Sequence, residues 1–355
     1  MMNTKVYDGV GVMSGTSLDG LDLAWCSFQE GKNGQWQYEI LKADTIPYTS
    51  AWRQKLRDAM NMNAYDYALL DVRFGTFIGE TIRKWLGDDA KPQFIASHGH
   101  TVFHRPELHL TAQIGSGAAI TAVSGIQTIC DFRTTDVALG GQGAPLVPIG
   151  DELLFGKYDA CLNLGGIANI SFRYDDKRIS FDICPCNIPL NAIAMLLGLP
   201  FDKNGQHARK GSLIHSLFDK LETLPYYQNP PPKSLGREWV ESSFNPQIAP
   251  FVDSYAPDHI LHTITQHIAT RISDAIPEHA KTVLITGGGA LNNFLIERLQ
   301  ALTASQVIVP EVHVVQYKEA LVFAFLGLLR ILNRDNCLKS VTGASRDNCG
   351  GAIYL

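Results

Sequence analysis

Apolar and polar positions along this chain follow two rhythms, and the same sequence of rhythms starts twice. Residues 6–13 are β-rich and run into Ser14-Gly15-Thr16-Ser17-Leu18-Asp19-Gly20, after which a strand pattern resumes over 21–28. Strand, glycine-bearing turn and strand predict a hairpin. Helical spacing follows over 51–60 and 65–85, then short strands at 94–97 and 111–114, a helix at 118–124 and a strand at 127–132. After a turn-rich stretch, 138–148, the pattern restarts. Residues 160–164, Gly165-Gly166 and 167–172 predict a second glycine-bent hairpin, with a third strand at 179–183. Helices are expected at 190–197, 212–221, 263–276 and 320–332. A short strand at 283–286 enters Gly287-Gly288-Gly289, with a helix over 291–299 directly after.

Two hairpins of one design, each opening a strand-rich unit, suggest two related α/β domains. They are expected at 1–130, joined by the C-terminal segment 319–355, and at 131–318, with a ligand cleft between them. A length of 355 residues suits two domains better than one, and 45% hydrophobic residues supply real cores. A net charge of −5 argues against nucleic acid as partner, because phosphate neutralisation needs clustered Lys and Arg. Seven cysteines, an odd number and widely spaced, read as reduced thiols of a cytoplasmic protein. Residues 1–12 contain Asp8 and present no secretory apolar core. The longest apolar run, 320–329, stops at Arg330; it is too short for a bilayer and reads as a buried helix, so no membrane partner is expected.

The chemistry is concentrated where glycine punctuates strands. The turn at 14–20 combines backbone amides, the Thr16 and Ser17 hydroxyls and the Asp19 carboxylate. Such a turn cradles phosphate oxygens, and its carboxylate holds Mg²⁺ directly or through water; an ordinary Asp-Gly hairpin turn is the alternative. Gly287-Gly288-Gly289 between strand and helix lets backbone lie flat against a nucleotide, with a helix N-terminus favouring phosphate. Neither a Walker A motif nor a Rossmann fingerprint is present. The three glycine sites together resemble the pattern of the actin, hexokinase and Hsp70 superfamily, which implies two actin-like (ribonuclease H-like) domains around an ATP cleft.

A closer resemblance lies in an ordered series of motifs. Gly11-Val12-Met13-Ser14-Gly15-Thr16-Ser17-Leu18-Asp19-Gly20 looks like the N-terminal signature of the anhydro-N-acetylmuramic acid kinases. Ser97-His98-Gly99, Asp131-Phe132-Arg133-Thr134-Thr135-Asp136, Gly140-Gly141-Gln142-Gly143-Ala144-Pro145, Asn163-Leu164-Gly165-Gly166-Ile167-Ala168-Asn169 and Gly287-Gly288-Gly289-Ala290 follow in family order. The resemblance covers essentially the whole chain. It implies a cytoplasmic, homodimeric sugar kinase of cell-wall recycling. Such an enzyme uses ATP and Mg²⁺ to open 1,6-anhydro-N-acetylmuramic acid with water and to phosphorylate O6; a related amino or anhydro sugar, or a non-catalytic nucleotide-binding protein, is the alternative.

Carried onto this sequence, the resemblance implies Asp182 as the base that activates water. It assigns ATP to Gly15, Thr16, Ser17, Leu18, Asp19, Gly20, Leu21 and Asp22, to Gly165 and Gly166, and to Gly287, Gly288 and Gly289. It implies His98, Asp136 and Glu319 on the sugar side, and Asp19 near the metal. Asp182 and Glu319 have plainer readings, as a helix cap and as a helix N-terminal carboxylate. Asp136 and Arg133 either orient substrate or pair with each other, and His98, His100 and His104 also invite a metal-site reading, against a hydrogen-bonding role of His98 near the sugar. The sequence departs from the family around Asp182. Cys184 and Cys186 stand where glycines are usual and Asn191 where an Asp is usual. If those glycines needed positive φ, the loop must be rebuilt.

Overall fold

The computed structural model describes residues 5–15, 17–32, 34–88 and 90–355. The chain forms two compact units, Met1–Phe155 with Tyr317–Leu355, and Gly156–Gln316. The expected boundary near residue 130 is therefore displaced, because residues 131–155 pack within the first unit. Helix Thr134–Ala138 is tied there by Asp136 to the C-terminal segment. Helix Pro148–Leu153 sets Gly150 so tightly against Val322 that a Cβ on it would lie 2.5 Å from that side chain.

In the first unit, β1 (Val6–Ser14), β2 (Gly20–Glu30) and β3 (Trp36–Pro47) form an antiparallel meander. β4 (Phe94–Arg105) runs parallel to β1, β5 (Leu110–Ile114) pairs antiparallel with β4, and β6 (Thr128–Cys130) runs parallel to β4. The C-terminal strand Ala352–Tyr354 closes the edge against β6. Alternation decides what faces what. Val10 and Val12 of β1 join Phe74, Ile78 and Ile82 of helix Ala64–Leu86 in one core. The intervening Gly11 meets helix Val312–Ile331, so closely that a Cβ would lie 1.7 Å from the Ala320 carbonyl oxygen. That helix is long and apolar enough to cross a membrane, but positions 320–329 are buried inside the unit. Its backbone departs from helical geometry at Tyr317, where the chain re-enters the first unit.

The second unit repeats the plan. β7 (Ala160–Leu164), β8 (Ile167–Tyr174) and β9 (Lys177–Pro185) form the meander, and β10 (Thr282–Thr286) and β11 (Gln306–Ile308) follow in parallel beyond β7. The central sheets thus share one plan, β3-β2-β1-β4-β6 in the first unit, with β5 off this path against β4, and β9-β8-β7-β10-β11 in the second. This duplicated order is the actin-like arrangement implied by the motifs. Leu162, Leu164, Ala168 and Ile170 pack with Ile260, Ile264, Ile268 and Ile272 of helix Pro257–Ala275. The next residues along the strands, among them Asn163 and Asn169, lie on the opposite face.

Candidate active site

In the first unit, the β1–β2 turn is anchored from below. Tyr48 donates to the Ser14 hydroxyl (2.7 Å), which in turn faces His100 Nδ1 at 3.1 Å. The turn backbone closes through Leu18 N–H to Gly15 C=O (3.3 Å), with Leu18 at a φ of 58°. Thr16 lies outside the described residues. Ser17 and Asp19 are exposed, and Asp22 is half-buried, its Oδ1 accepting from Thr45 at 2.6 Å. Burial raises the Asp22 carboxyl above its ordinary value, the Thr45 bond opposes the rise and Asp19 adds to it. Two neighbouring carboxylates of this kind supply the hard oxygen ligands that a magnesium ion takes.

The three residues assigned to the sugar side have different fates. Glu319 keeps part of its surface open to solvent at the start of the buried run, while its carboxyl is surrounded by protein atoms. Desolvation first, then Asp22, raises its carboxyl, while Arg133 and Lys318 pull it down; Lys318 itself is buried and paired with Asp151 at 2.6 Å. His98 is not free to meet a ligand. Arg133 donates to its Nε2 (2.9 and 3.1 Å), so the ring proton sits on Nδ1, 2.9 Å from the Gly99 carbonyl. Burial, reinforced by Arg133, lowers its pKa to about 3 and keeps it neutral. His98 therefore aims Arg133.

Asp136 requires the larger correction. It is fully buried, with Oδ1 accepting from Cys337 (3.1 Å), Thr342 (2.8 Å) and Asn348 (2.9 Å), and Oδ2 accepting from Gly143 N–H (2.8 Å). Every direction of approach is taken by the protein. It is an internal hub that fastens the C-terminal segment to the glycine turn at 140–143. The histidines 98, 100 and 104 are likewise engaged separately, His104 with Thr111, and they form no shared metal cluster.

In the second unit, the glycine turns converge on one residue that the sequence reading did not single out. Asn187 donates its backbone N–H to Gly165 C=O (3.1 Å) and its side-chain amide to Leu164 C=O (2.9 Å). Its Oδ1 would lie 3.2 Å from a Cβ on Gly289. It thereby joins the β7–β8 turn to the turn after β10. Gly287 has a φ of 81° and lies against Asn163 and Leu164, a place and conformation that exclude a side chain. Beside Gly288 and Gly289 opens a cavity of about 410 Å³ lined by Asn187, Leu190, Asn191, Phe201, Asn204 and Leu291 among others. Its size and apolar lining with a few polar groups suit a nucleoside.

Asp182 lies in the last half of β9, three residues before its end, and is held by the segment 233–235. Its N–H donates to Lys233 C=O (3.1 Å), its C=O accepts from Tyr226 (2.6 Å), and its Oδ2 accepts from Leu235 N–H (2.8 Å). Burial raises its pKa, and the Leu235 bond partly offsets this. The register along β8 and β9 runs Ile170↔Phe181, Asn169↔Asp182, then Ala168↔Cys184, so Ile183 is an extra residue. On a regular strand Asp182 and Cys184 would share a face. The bulge separates them: Cys184 joins Ala168 in the core, while Asp182 stays with Asn169 on the other face. Cys186 is buried as well, with φ −127°, and neither cysteine lies at positive φ. The loop accommodates these two side chains without left-handed backbone.

The sequence model of the family described as anhydro-N-acetylmuramic acid kinase matches residues 7–355. The chain belongs to that family. Among similar proteins, the anhydro-N-acetylmuramic acid kinase of Hydrogenovibrio crunogenus is 34% identical, over 99% of this chain and 98% of its own. That of Sulfurimonas denitrificans is 33% identical over 97% and 98%, and that of Aliivibrio fischeri 35% over 97% and 98%. The anhydro-N-acetylmuramic acid kinase family thus accounts for the full set of motifs, from the β1–β2 turn to the C-terminal segment. Within it, the buried thiols beside Asp182 are a local departure.

Proposed function

We propose that this sugar kinase uses ATP and water to convert 1,6-anhydro-N-acetylmuramic acid into N-acetylmuramic acid 6-phosphate. The observation that carries the reading is the setting of Asp182: a carboxylate beside the bulge of β9, raised in pKa, with Oδ2 fixed and Oδ1 accepting no hydrogen bond from any described residue. Asp182 takes one proton from water as the oxygen attacks the anomeric carbon. The C1–O6 bond breaks, its electron pair stays on O6, O6 bonds to the γ-phosphorus, and ADP leaves. Capture of O6 by phosphorus replaces the acid that a glycosidase uses on its leaving group.

The nucleoside fits the cavity beside Gly288 and Gly289, with Gly165 and Gly166 of the same unit near the phosphates. In the first unit, the amides of Gly15 and of residues 17–20 suit phosphate oxygens, and Asp19 and Asp22 would hold Mg²⁺, which when bound neutralises phosphate charge. Glu319, beside the Arg133 that His98 orients, would bind sugar hydroxyls. The cysteines are all free thiols, in keeping with a reducing cytoplasm.

The test is Asp182→Asn, incubated with the anhydro sugar, ATP and Mg²⁺ and followed by mass spectrometry. Wild type gives a product heavier by phosphate plus water. The variant is expected to lose ~10²–10⁴-fold in kcat while its ATP affinity holds. Normal turnover by the variant overturns the assignment.

A further inference from the structure

We propose that Asn169 is the second residue that holds the attacking water, its Oδ1 accepting a hydrogen bond from the O–H that Asp182 does not deprotonate. This rests on Asp182 being the base. Water has two protons and must point a lone pair at the anomeric carbon. Two acceptors, one for each proton, fix that orientation; a single carboxylate leaves the molecule free to swing.

The ladder supplies the second acceptor. Asn169 is directly opposite Asp182 across β8 and β9, and opposed residues have Cβ atoms ~5 Å apart on one face. The bulge at Ile183 creates this pairing by turning Cys184 away into the core. Asn163 on β7 is directly opposite Asn169, so a polar row Asn163–Asn169–Asp182 crosses the sheet between rows of buried apolar residues. Both asparagines are half-exposed, and neither side chain hydrogen-bonds to any described residue. Asparagine is a poor strand former, and an amide left without a protein partner does nothing to hold the sheet. Asn163 lies against Gly287, its Oδ1 2.6 Å from where a Cβ there would be, which leaves Asn169 beside the base. In the step itself the water proton passes to Asp182, the hydroxyl bonds to C1, and Asn169 keeps its hydrogen bond to the remaining proton throughout.

The experiment compares wild type, Asn169→Ala, Asn169→Asp, Asp182→Asn and the Asn169→Ala/Asp182→Asn double variant in the sugar assay, with melting curves for each. Asn169→Ala should lower kcat ~10²-fold, as expected for a misplaced reactant, with KM for ATP and sugar within about threefold of wild type. Asn169→Asp retains the acceptor and should recover most of that loss at pH 8. Its acid limb should move to higher pH, because a second carboxylate disfavours ionisation of Asp182. The double variant should be no slower than Asp182→Asn, since both residues act on one water. A kcat for Asn169→Ala within about threefold of wild type, a loss confined to KM, or losses that multiply in the double variant would each overturn the proposal. If wild type itself leaves the sugar unchanged, it is the parent reading of the reaction that fails.

Discussion

Removing the Asp136 carboxylate should unfold the first unit's C-terminal closure without touching the chemistry. In Asp136→Ala, the N–H of Gly143, the amide of Asn348, the hydroxyl of Thr342 and the thiol of Cys337 all lose their acceptor inside the protein. The thiol is a weak donor, and Thr342 can fall back on the Leu338 carbonyl, 3.3 Å away. Two strong donors, Gly143 N–H and Asn348, remain stranded, at roughly 1–3 kcal/mol each. The expected loss is therefore about 4 kcal/mol, a drop in melting temperature of roughly 8–16 °C for a unit of this size. Asp136→Asn keeps an oxygen toward the three side-chain donors but turns an NH₂ toward Gly143 N–H. It should lose about half as much. Differential scanning calorimetry gives the ranking, and hydrogen exchange should rise over residues 337–348. Sugar KM, measured where both variants are folded, should not change. A melting temperature within about 2 °C of wild type together with a raised KM would refute the hub and return Asp136 to the substrate.

Glu319→Gln should lower activity yet raise the melting temperature at pH 8. A carboxyl whose folded pKa is raised contributes stability below its unfolded pKa and loses it as pH rises through the folded one. The stabilisation should fade toward pH 4, and a variant less stable than wild type at pH 8 contradicts the sign. The His98 ring should stay neutral with its proton on Nδ1 throughout pH 5–9, because its pKa is lowered to about 3; a nitrogen-15 titration near pH 6 would show otherwise. Cys184 and Cys186 should resist alkylation in the native protein and react on unfolding, since both are buried and the Cys186 thiol is pushed up to about 12. Rapid labelling of either in native protein would contradict the packing described.

The motif residues were legible in the sequence; their partners were not. The glycine hairpins, the strand before Gly287 and the buried run at 320–329 all appear where the patterns placed them, because strong alternation and glycine punctuation are local signals. β3 left no such trace: of its twelve residues only Trp36 is buried, so its place is set by pairing with β2. Asp136 and His98 belong to recognisable motifs, yet their roles depend on residues far along the chain, Asn348 for one and Arg133 for the other. The bulge at Ile183 was equally invisible. A period-two reading puts Asp182 and Cys184 on one face, and only the observed register separates them. Asn187 could have been suspected from its place in the Asp182 motif, but the carbonyl it holds at Leu164 is a matter of tertiary contact.

The interrupted course of the first unit sets an order of events during synthesis. The second unit is one continuous stretch, Gly156–Gln316, so all of its strands have left the ribosome before the chain turns back at Tyr317. The first unit at that moment still lacks the helix that Gly11 is shaped to receive, the donors that Asp136 is waiting for and the strand that covers β6. Its opening residues must stay uncommitted while an entire neighbour forms, and its closure requires contacts across some of the longest sequence separations in the chain. A ribosome stalled among the codons for residues 317–355 would thus release a finished second unit attached to an open first one, with its β6 edge and the Gly11 face of β1 exposed to whatever quality control surveys new chains.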